Sequence, residues 1–494
     1  DDSSFLTNIV NDISKGSISS TNNRLRDETE MDESFEYALD FYKDYDREGQ
    51  TLSARISYEE SEDDGLEDIE DFATFPLISE SVFEKVSNID FQKRLLGQVD
   101  FIYPIDKETE FEFGYRGSFL ERETDYDVSF LTGNSFISDS GLSNIFNYKE
   151  SVNSLYTQFG KKFDKLSALF GLRYENSKQE INQKTTNQFE IKKYSDLFPT
   201  LNLAYEFSSQ ESLTFGYSKR IRRPRGWDIN PFPRRNSVTS LWRGNPFLDP
   251  TFTNSLEIGY LKRYKKFTIN SEIFYSNSKD NNVRITEETG ELITVTGGDD
   301  DELNPTLQVP VLETYPINLS ENTRFGGVLN LTYTPSRSVR LNGSFTLNNT
   351  KIRGEFKNQN FDSDNTSWNA RFSSFIKLPF DVSWQLFGFF RGPSETAQSR
   401  NKAFGTVTSA FQKNILDRKG TISFKISDVF NTGKWRYETF TNTFFREGEG
   451  QWREPSYVLT FSYRFNDNNN KRTRRQKSND LNFGGGDDER IFND

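Results

Sequence analysis

Cations crowd one stretch of the chain: Lys219, Arg220, Arg222, Arg223, Arg225, Arg234, Arg235 and Arg243, with Trp227 and Trp242 among them. Guanidinium forks match carboxylates and phosphates bidentately, and an indole face stacks on flat or sugar-like partners. Arg222, Arg223, Arg225, Trp227, Arg234, Arg235, Trp242 and Arg243 are therefore the candidate residues for binding an anionic ligand. Pro224, Pro231, Pro246 and Pro250 restrict the same stretch, so the alternative reading is that these residues fix the fold of their own loop. Carboxylates are dense at Glu59–Asp71 and again at Asp299–Glu302. Such runs could offer oxygens to a hard cation, but neither has EF-hand spacing, and a solvated, mobile loop is the simpler reading.

The missing residue types exclude more chemistry than the present ones suggest. With no cysteine there is no disulfide framework, thiolate nucleophile or thiolate metal site; with no histidine there is no Ser-His-Asp triad, imidazole metal ligand or imidazole pH switch. Carboxylate pairs can be drawn anywhere in so acidic a chain, so none is assigned as catalytic. The chain reads as a non-enzyme with no metal site and no cofactor. Its net charge of −13 argues against a nucleic-acid partner.

Hydrophobic residues are only 33% of the sequence, yet aromatic residues alone are 15%. No run of about 18 apolar residues exists, so no transmembrane helix is expected. A closed β-barrel is the other structure that can span lipid, and its strands need only about 9–11 alternating residues. That alternation recurs. Leu459, Phe461, Tyr463 and Phe465 oppose Val458, Thr460, Ser462 and Arg464; Leu201, Leu203, Tyr205 and Phe207 oppose Asn202, Ala204, Glu206 and Ser208. Phe111, Phe113 and Tyr115 oppose Glu112, Gly114 and Arg116, and similar runs surround Ile56 and Phe424. Together they predict an all-β fold, an antiparallel transmembrane barrel with roughly 17 strands in this chain. From the strand near Phe35–Tyr45 onward, short connectors (Asp46–Gln50, Pro104–Lys107, around Asp164, Ser208–Glu211, Arg263–Lys266, Pro335–Ser338, Leu378–Asp381, Leu416–Gly420) alternate with long ones. The long ones lie at Glu60–Asp90, Glu121–Asn147, Asn176–Lys192, Ile221–Thr251, Asn277–Asn322, Thr350–Thr366, Gly392–Lys402 and Asn431–Arg453. Tight turns on one side and long loops on the other are the rhythm of outer-membrane barrels.

Parity carries the reading further. If the last strand ends inside at Phe465, strand 1 also runs inward, so residues 1–34 are expected as an extracellular loop segment following upstream strands. Adding five gives a barrel of about 22 strands, the size of plugged outer-membrane transporters. Residues 35–465 are the expected barrel. Residues 466–494 are expected as a polar, disordered periplasmic tail, with Lys471–Lys477 basic and a glycine run beyond it.

Tyr217–Pro224, Asp228–Phe232 and Gly244–Pro250 resemble the outer-membrane β-barrel family of Bacteroidetes, which is related to TonB-dependent receptors. Leu197–Leu201, Gly171–Glu175, Val99–Pro104, Ile426–Asn431 and Leu459–Phe465 are similar to that family in the same order. The resemblance implies a bacterial outer-membrane location and a receptor-like transporter barrel that takes up or recognises a nutrient ligand. It implies outer-membrane lipid and lipopolysaccharide as surroundings, TonB as a partner acting through a plug domain, and a surface lipoprotein or other assembly subunits as further partners. Resemblance to other outer-membrane proteins marks Phe465, the last aromatic of the last strand, as part of the barrel-assembly signal. The alternative function is a non-transporting barrel that acts as scaffold in a larger outer-membrane assembly or secretion complex.

Overall fold

In lipid every backbone N–H and C=O must find an internal partner, and here adjacent strands supply it. The computed structural model describes residues 2–12, 17–75, 80–295, 307–417, 419–440, 445–451 and 453–465. They build a 21-stranded sheet, of which Ser135–Ser138, Arg234–Ser237 and Ser240–Trp242 are short outer elements. The other eighteen strands form the wall: β1 (Asp2–Asp12), β2 (Ser17–Asp44), β3 (Thr51–Phe75), β4 (Val82–Pro104), β5 (Thr109–Thr132), β6 (Asn144–Phe163), β7 (Leu166–Gln183), β8 (Gln188–Ser208), β9 (Glu211–Arg222), β10 (Thr251–Arg263), β11 (Phe267–Val295), β12 (Leu307–Ser336), β13 (Val339–Arg353), β14 (Ser363–Leu378), β15 (Val382–Arg391), β16 (Phe404–Ile415), β17 (Gly420–Ser427) and β18 (Ser456–Tyr463). Each pairs antiparallel with the next in one meander.

From β2 onward the strands and their short turns stand where the alternation placed them. The long connectors differ. Residues 60–75 and 82–90, expected as loop, continue β3 and β4 as a paired ladder, and β11 and β12 are 29 and 30 residues long. Residues 1–34 differ likewise: β1 pairs with the outer part of β2, Asp2 opposite Glu28. At about 3.3 Å per residue these strands rise well beyond a hydrocarbon band of about 25 Å. Above the band both faces meet water or polar loops, so the apolar alternation that reveals a strand fades while backbone pairing continues. Residues 299–302 and the tail 466–494 lie outside the described residues.

Register sets the two faces. Phe41, Ala54, Val99, Tyr115, Leu155, Tyr174 and Leu197 lie opposite one another across seven strands. Phe215, Ile258, Ile273, Gly327, Leu347 and Trp368 continue such a row. Many of these large side chains are exposed, Ile273 at 56% and Phe41 at 52%, as a lipid-facing surface requires. Near the short turns, Tyr45, Phe101 and Tyr103 contact one another edge-on or stacked, as do Phe267 and Tyr333, forming part of an aromatic girdle. The opposite face is polar. There Gln98 donates to Tyr156, which donates in turn to Asp100, and the Tyr156 ring lies over Gly114. A Cβ at residue 114 would meet that ring at 2.4 Å.

Candidate functional site

The stretch after β9 is held by backbone geometry before any charge is considered. Gly226–Ile229 make one helical turn, and the chain returns so that Gly244 N–H donates to Asn230 O (2.8 Å) and Asn245 N–H to Asp228 O (2.7 Å). A Cβ at Gly244 would sit 2.5 Å from Asn230 O and 2.8 Å from Asp228 O, so only glycine lets the two segments approach. Asn245 caps the following turn through Phe247 N–H (3.0 Å) and donates to Pro316 O (3.1 Å). Ile229 and Leu248 are fully buried against Phe146, Tyr148 and Ile181 on the polar-face side of β6 and β7. The motif glycine, asparagines and prolines thus shape the loop.

The loop then reaches across the mouth. Its tip, Arg234–Ser237, meets β3, β4 and β5, while Ser240–Trp242 pairs in parallel with Leu312–Thr314 of β12. Arg446, after β17, donates to Ser240 Oγ (3.3 Å). One loop can touch strands so far apart along the meander only if the wall curves around it. On the side of β3 to β7 the wall residues that the loop contacts, Glu67, Glu84, Phe130, Phe146, Tyr148 and Ile181, belong to the polar face that the register turns away from lipid.

Most of the predicted arginines are engaged in that anchoring. Arg234 lies 3.2 Å from Glu67, which also accepts from Arg26 at 2.8 Å. Arg235 faces Glu84 at 3.4 Å and Asp71 at 3.6 Å, and both carboxylates are shared with buried Arg24. Burial raises the Asp71 carboxyl above its usual range, and the charges of Arg24 and Arg235 oppose that rise. Arg223 donates to Glu175 (2.5 Å) and Ser177 (3.3 Å), and Arg243 to Glu313. Buried charges must be paired, since leaving one partner alone costs several kcal/mol, about 3–5. The acidic run at Glu59–Asp71, expected as a solvated, mobile loop, is strand, and its inward-facing members Glu67 and Asp71 are buried partners of the arginine loop.

A smaller set stays open. Arg222 and Arg225 are exposed, and among the described residues neither has a carboxylate within ion-pair reach. Trp227 and Trp242 lie with ring centroids 6.0 Å apart and planes tilted by 41°. Arg284, from β11, places its guanidinium 5.3 Å from the Trp227 ring centre and 4.8 Å from that of Trp242. Burial raises the carboxyl of Asp228, while the hydrogen bond from the Arg225 backbone N–H and the charges of Arg284, Arg222 and Arg225 draw it back. The arrangement presents indole faces and unneutralised guanidinium groups to the mouth. Sequence reading missed Arg284, Arg24 and Arg26, because they lie in segments expected as loop; a lone cation gives no signal of its partner there. Phe465 is exposed and packs edge-on against Tyr463, with centroids 4.7 Å apart.

A model of the outer membrane protein beta-barrel family matches residues 43–463. The chain belongs to that family. It is a protein of the outer membrane. Sequence comparison finds no curated relative. Among solved structures, the ferric yersiniabactin uptake receptor FyuA from Yersinia pestis is similar with a TM-score of 0.54 at 11% identity, over 90% of this chain and 70% of that one. The copper transporter OprC matches at TM-score 0.56 and 10% identity, over 94% and 75%. The siderophore receptor PiuA from Acinetobacter baumannii matches at 0.55 and 10%, over 90% and 74%. Identities this low speak for a common fold, that of outer-membrane receptor barrels.

Proposed function

We propose that this family member is an outer-membrane receptor barrel that captures an anionic nutrient at its outer mouth for uptake. The observation that carries the reading is the open group of Arg222, Arg225, Trp227 and Trp242 in the stretch that crosses the mouth, joined by Arg284 from β11. Arginine forks recognise carboxylates, and indole faces cover the flat or apolar body of a ligand. A carboxylate-bearing metal chelate has both features, and the similar structures named for ferric yersiniabactin and ferric citrate bind ligands of that kind. Arg223, Arg234, Arg235 and Arg243 serve the loop's anchoring and support the site indirectly. Uptake would draw on TonB acting through a plug domain; Phe465 would serve recognition by the barrel-assembly machinery.

Ferric citrate titrated into the purified protein, with tryptophan emission as readout, tests this. Binding is expected to quench Trp227 and Trp242. The variant R222Q/R225Q/R284Q should weaken it by about a hundredfold, at roughly 1 kcal/mol per desolvated charge contact, while barrel assembly is unchanged. Absence of binding by ferric citrate and by other carboxylate chelates alike would leave the scaffold role as the better reading.

A further inference from the structure

Register also divides the inner face of the wall into two parts of opposite charge. Asn330, Ser344, Arg371, Phe389 and Thr406 lie opposite one another across β12 to β16, in the row that turns away from lipid. From Arg324 down β12, and throughout β13 to β18, no inward position among the described residues carries Asp or Glu. The same face carries Arg324, Arg340, Arg371, Arg391 and Lys425, each exposed and without a carboxylate partner among the described residues. The inward face of β2 to β5 differs: its membrane-crossing part is acidic, with Glu36, Asp40, Asp100, Glu110 and Glu112. Charges lining a wet channel between low-dielectric walls set up a field across it, and here that field draws anions to the β12–β18 side.

Aromatic rings sit among these cations. Phe387 points inward, opposite Ser373 and Thr408, and is 46% exposed, where a water-filled lumen calls for polar side chains. Phe389 follows two residues above it. The Arg371 guanidinium lies 5.5 Å from the Phe389 ring centre, and Phe404 meets that ring edge-on at 5.8 Å. Arg391, at the outer end of β15, lies opposite Phe404 and Asn369 on the same face. A guanidinium on one ring, beside a second ring left open, offers a charge contact and a flat apolar surface together. We propose that this carboxylate-free inner wall is a second station for the captured anion, held by Arg371 and Arg391 with its flat body on Phe387 and Phe389. The station deepens the nutrient-capture reading and rests on it for the direction of travel, from the mouth inward.

Titration calorimetry of the full chain in detergent tests it with benzenetetracarboxylate, a flat tetra-anion, and with the uncharged tetraamide as control. The tetra-anion should bind in two classes of site and the tetraamide in neither. R222Q/R225Q/R284Q should remove the mouth class alone. R371Q/R391Q should weaken the other class by about tenfold, since a charge contact in a wet lumen is worth a factor of roughly three. Heat-modifiable gel mobility reports whether each barrel is assembled; if the double variant does not assemble, Arg371→Gln alone should weaken binding by about threefold. The chain has no cysteine of its own, so Thr408→Cys reads the location: bound tetra-anion should slow its reaction with a charged thiosulfonate several-fold. Unchanged binding by assembled R371Q/R391Q protein would overturn the proposal, as would equal binding of the tetraamide. A Thr408→Cys thiol that is unreactive before any probe is added would also overturn it, placing a protein segment on this wall instead. Loss of all binding in R222Q/R225Q/R284Q would sink the station and leave capture at the mouth standing. A single class sensitive to R371Q/R391Q alone would support the station and sink capture at the mouth.

Discussion

Gly244 and Asp63 show how much single residues decide in the outer region. Gly244 sits where Asn230 O and Asp228 O approach within 2.8 Å of its missing Cβ, and those atoms are backbone, which cannot swing aside. Gly244→Ala should cost about 1–3 kcal/mol of local stability, the usual penalty of overpacking. The loop would release Leu248 from Phe146 and Ile181, and limited proteolysis between residues 223 and 250 should report it. Asp63 stands above the membrane-crossing part of β3. Its carboxyl is pushed up to about 6 by burial first, then by its hydrogen bond and charge contact with Asp32 and by the charges of Glu30 and Asp90. A folded-state value above the ordinary 3.8 means that the folded hairpin binds the proton more tightly. The outer β2–β3 hairpin should therefore gain stability as pH falls through 6 toward 4, and lose it as pH rises through 6. Amide exchange of residues 28–34 and 60–68, corrected for intrinsic rate, should slow between pH 7 and pH 5, and Asp63→Asn should remove the dependence.

At the scale of elements, β18 offers the clearest test of which face meets lipid. Leu459 lies opposite Phe424, which faces Phe411, and that row continues to Trp384 and Ile376. Phe461, two residues on, shares the face, whereas Thr460 points with Ser423 and Gln412 to the other side. Phe461→Arg should cost about 2–4 kcal/mol if its Cβ lies near the bilayer midplane, while Thr460→Arg should be tolerated. Urea titrations of folding into vesicles measure both, and equal costs would place the faces wrongly. The strands and short turns were legible because lipid forces a strict period of two on the first ten or so residues above each turn. The strand extensions were not legible: half of residues 60–75 are Asp or Glu, and charge alone does not distinguish a paired ladder in water from a loop.

For the whole molecule, the loop from Arg223 to Pro250 acts as a strap fixed on one flank by Arg234, Arg235 and the carboxylates of β3 and β4, and on the other by β12 and Arg446. On the proposed uptake function, passage of a ligand through the mouth would require one flank to let go. The chain holds no cysteine, so a pair introduced at Glu67 and Arg234 can be bridged by a short bifunctional maleimide without background. Bridged protein should keep ligand binding at the Trp227–Trp242 surface and lose uptake, with uptake returning when a cleavable bridge is cut. Unaltered uptake by the bridged protein would show that the strap need not open.

By itself the sequence indicated the class of fold and the alternation and short turns of its strands, though its count of roughly 17 falls one short of the eighteen wall strands because β1 lies in a segment expected as loop. Alternation and turn chemistry are local, and the bilayer enforces both on every strand. It also marked the arginine–tryptophan stretch as the place where charge and aromatic surface meet. Which of those arginines are free was decided only in three dimensions. Arg223, Arg234, Arg235 and Arg243 are spent on carboxylates that lie 48, 167 or 70 residues away, or on a carboxylate pair reached from three strands. Arg284 joins the two tryptophans from another hairpin. Curvature of the wall brings these groups together, and curvature is a property of all the strands at once, written in no segment of the chain.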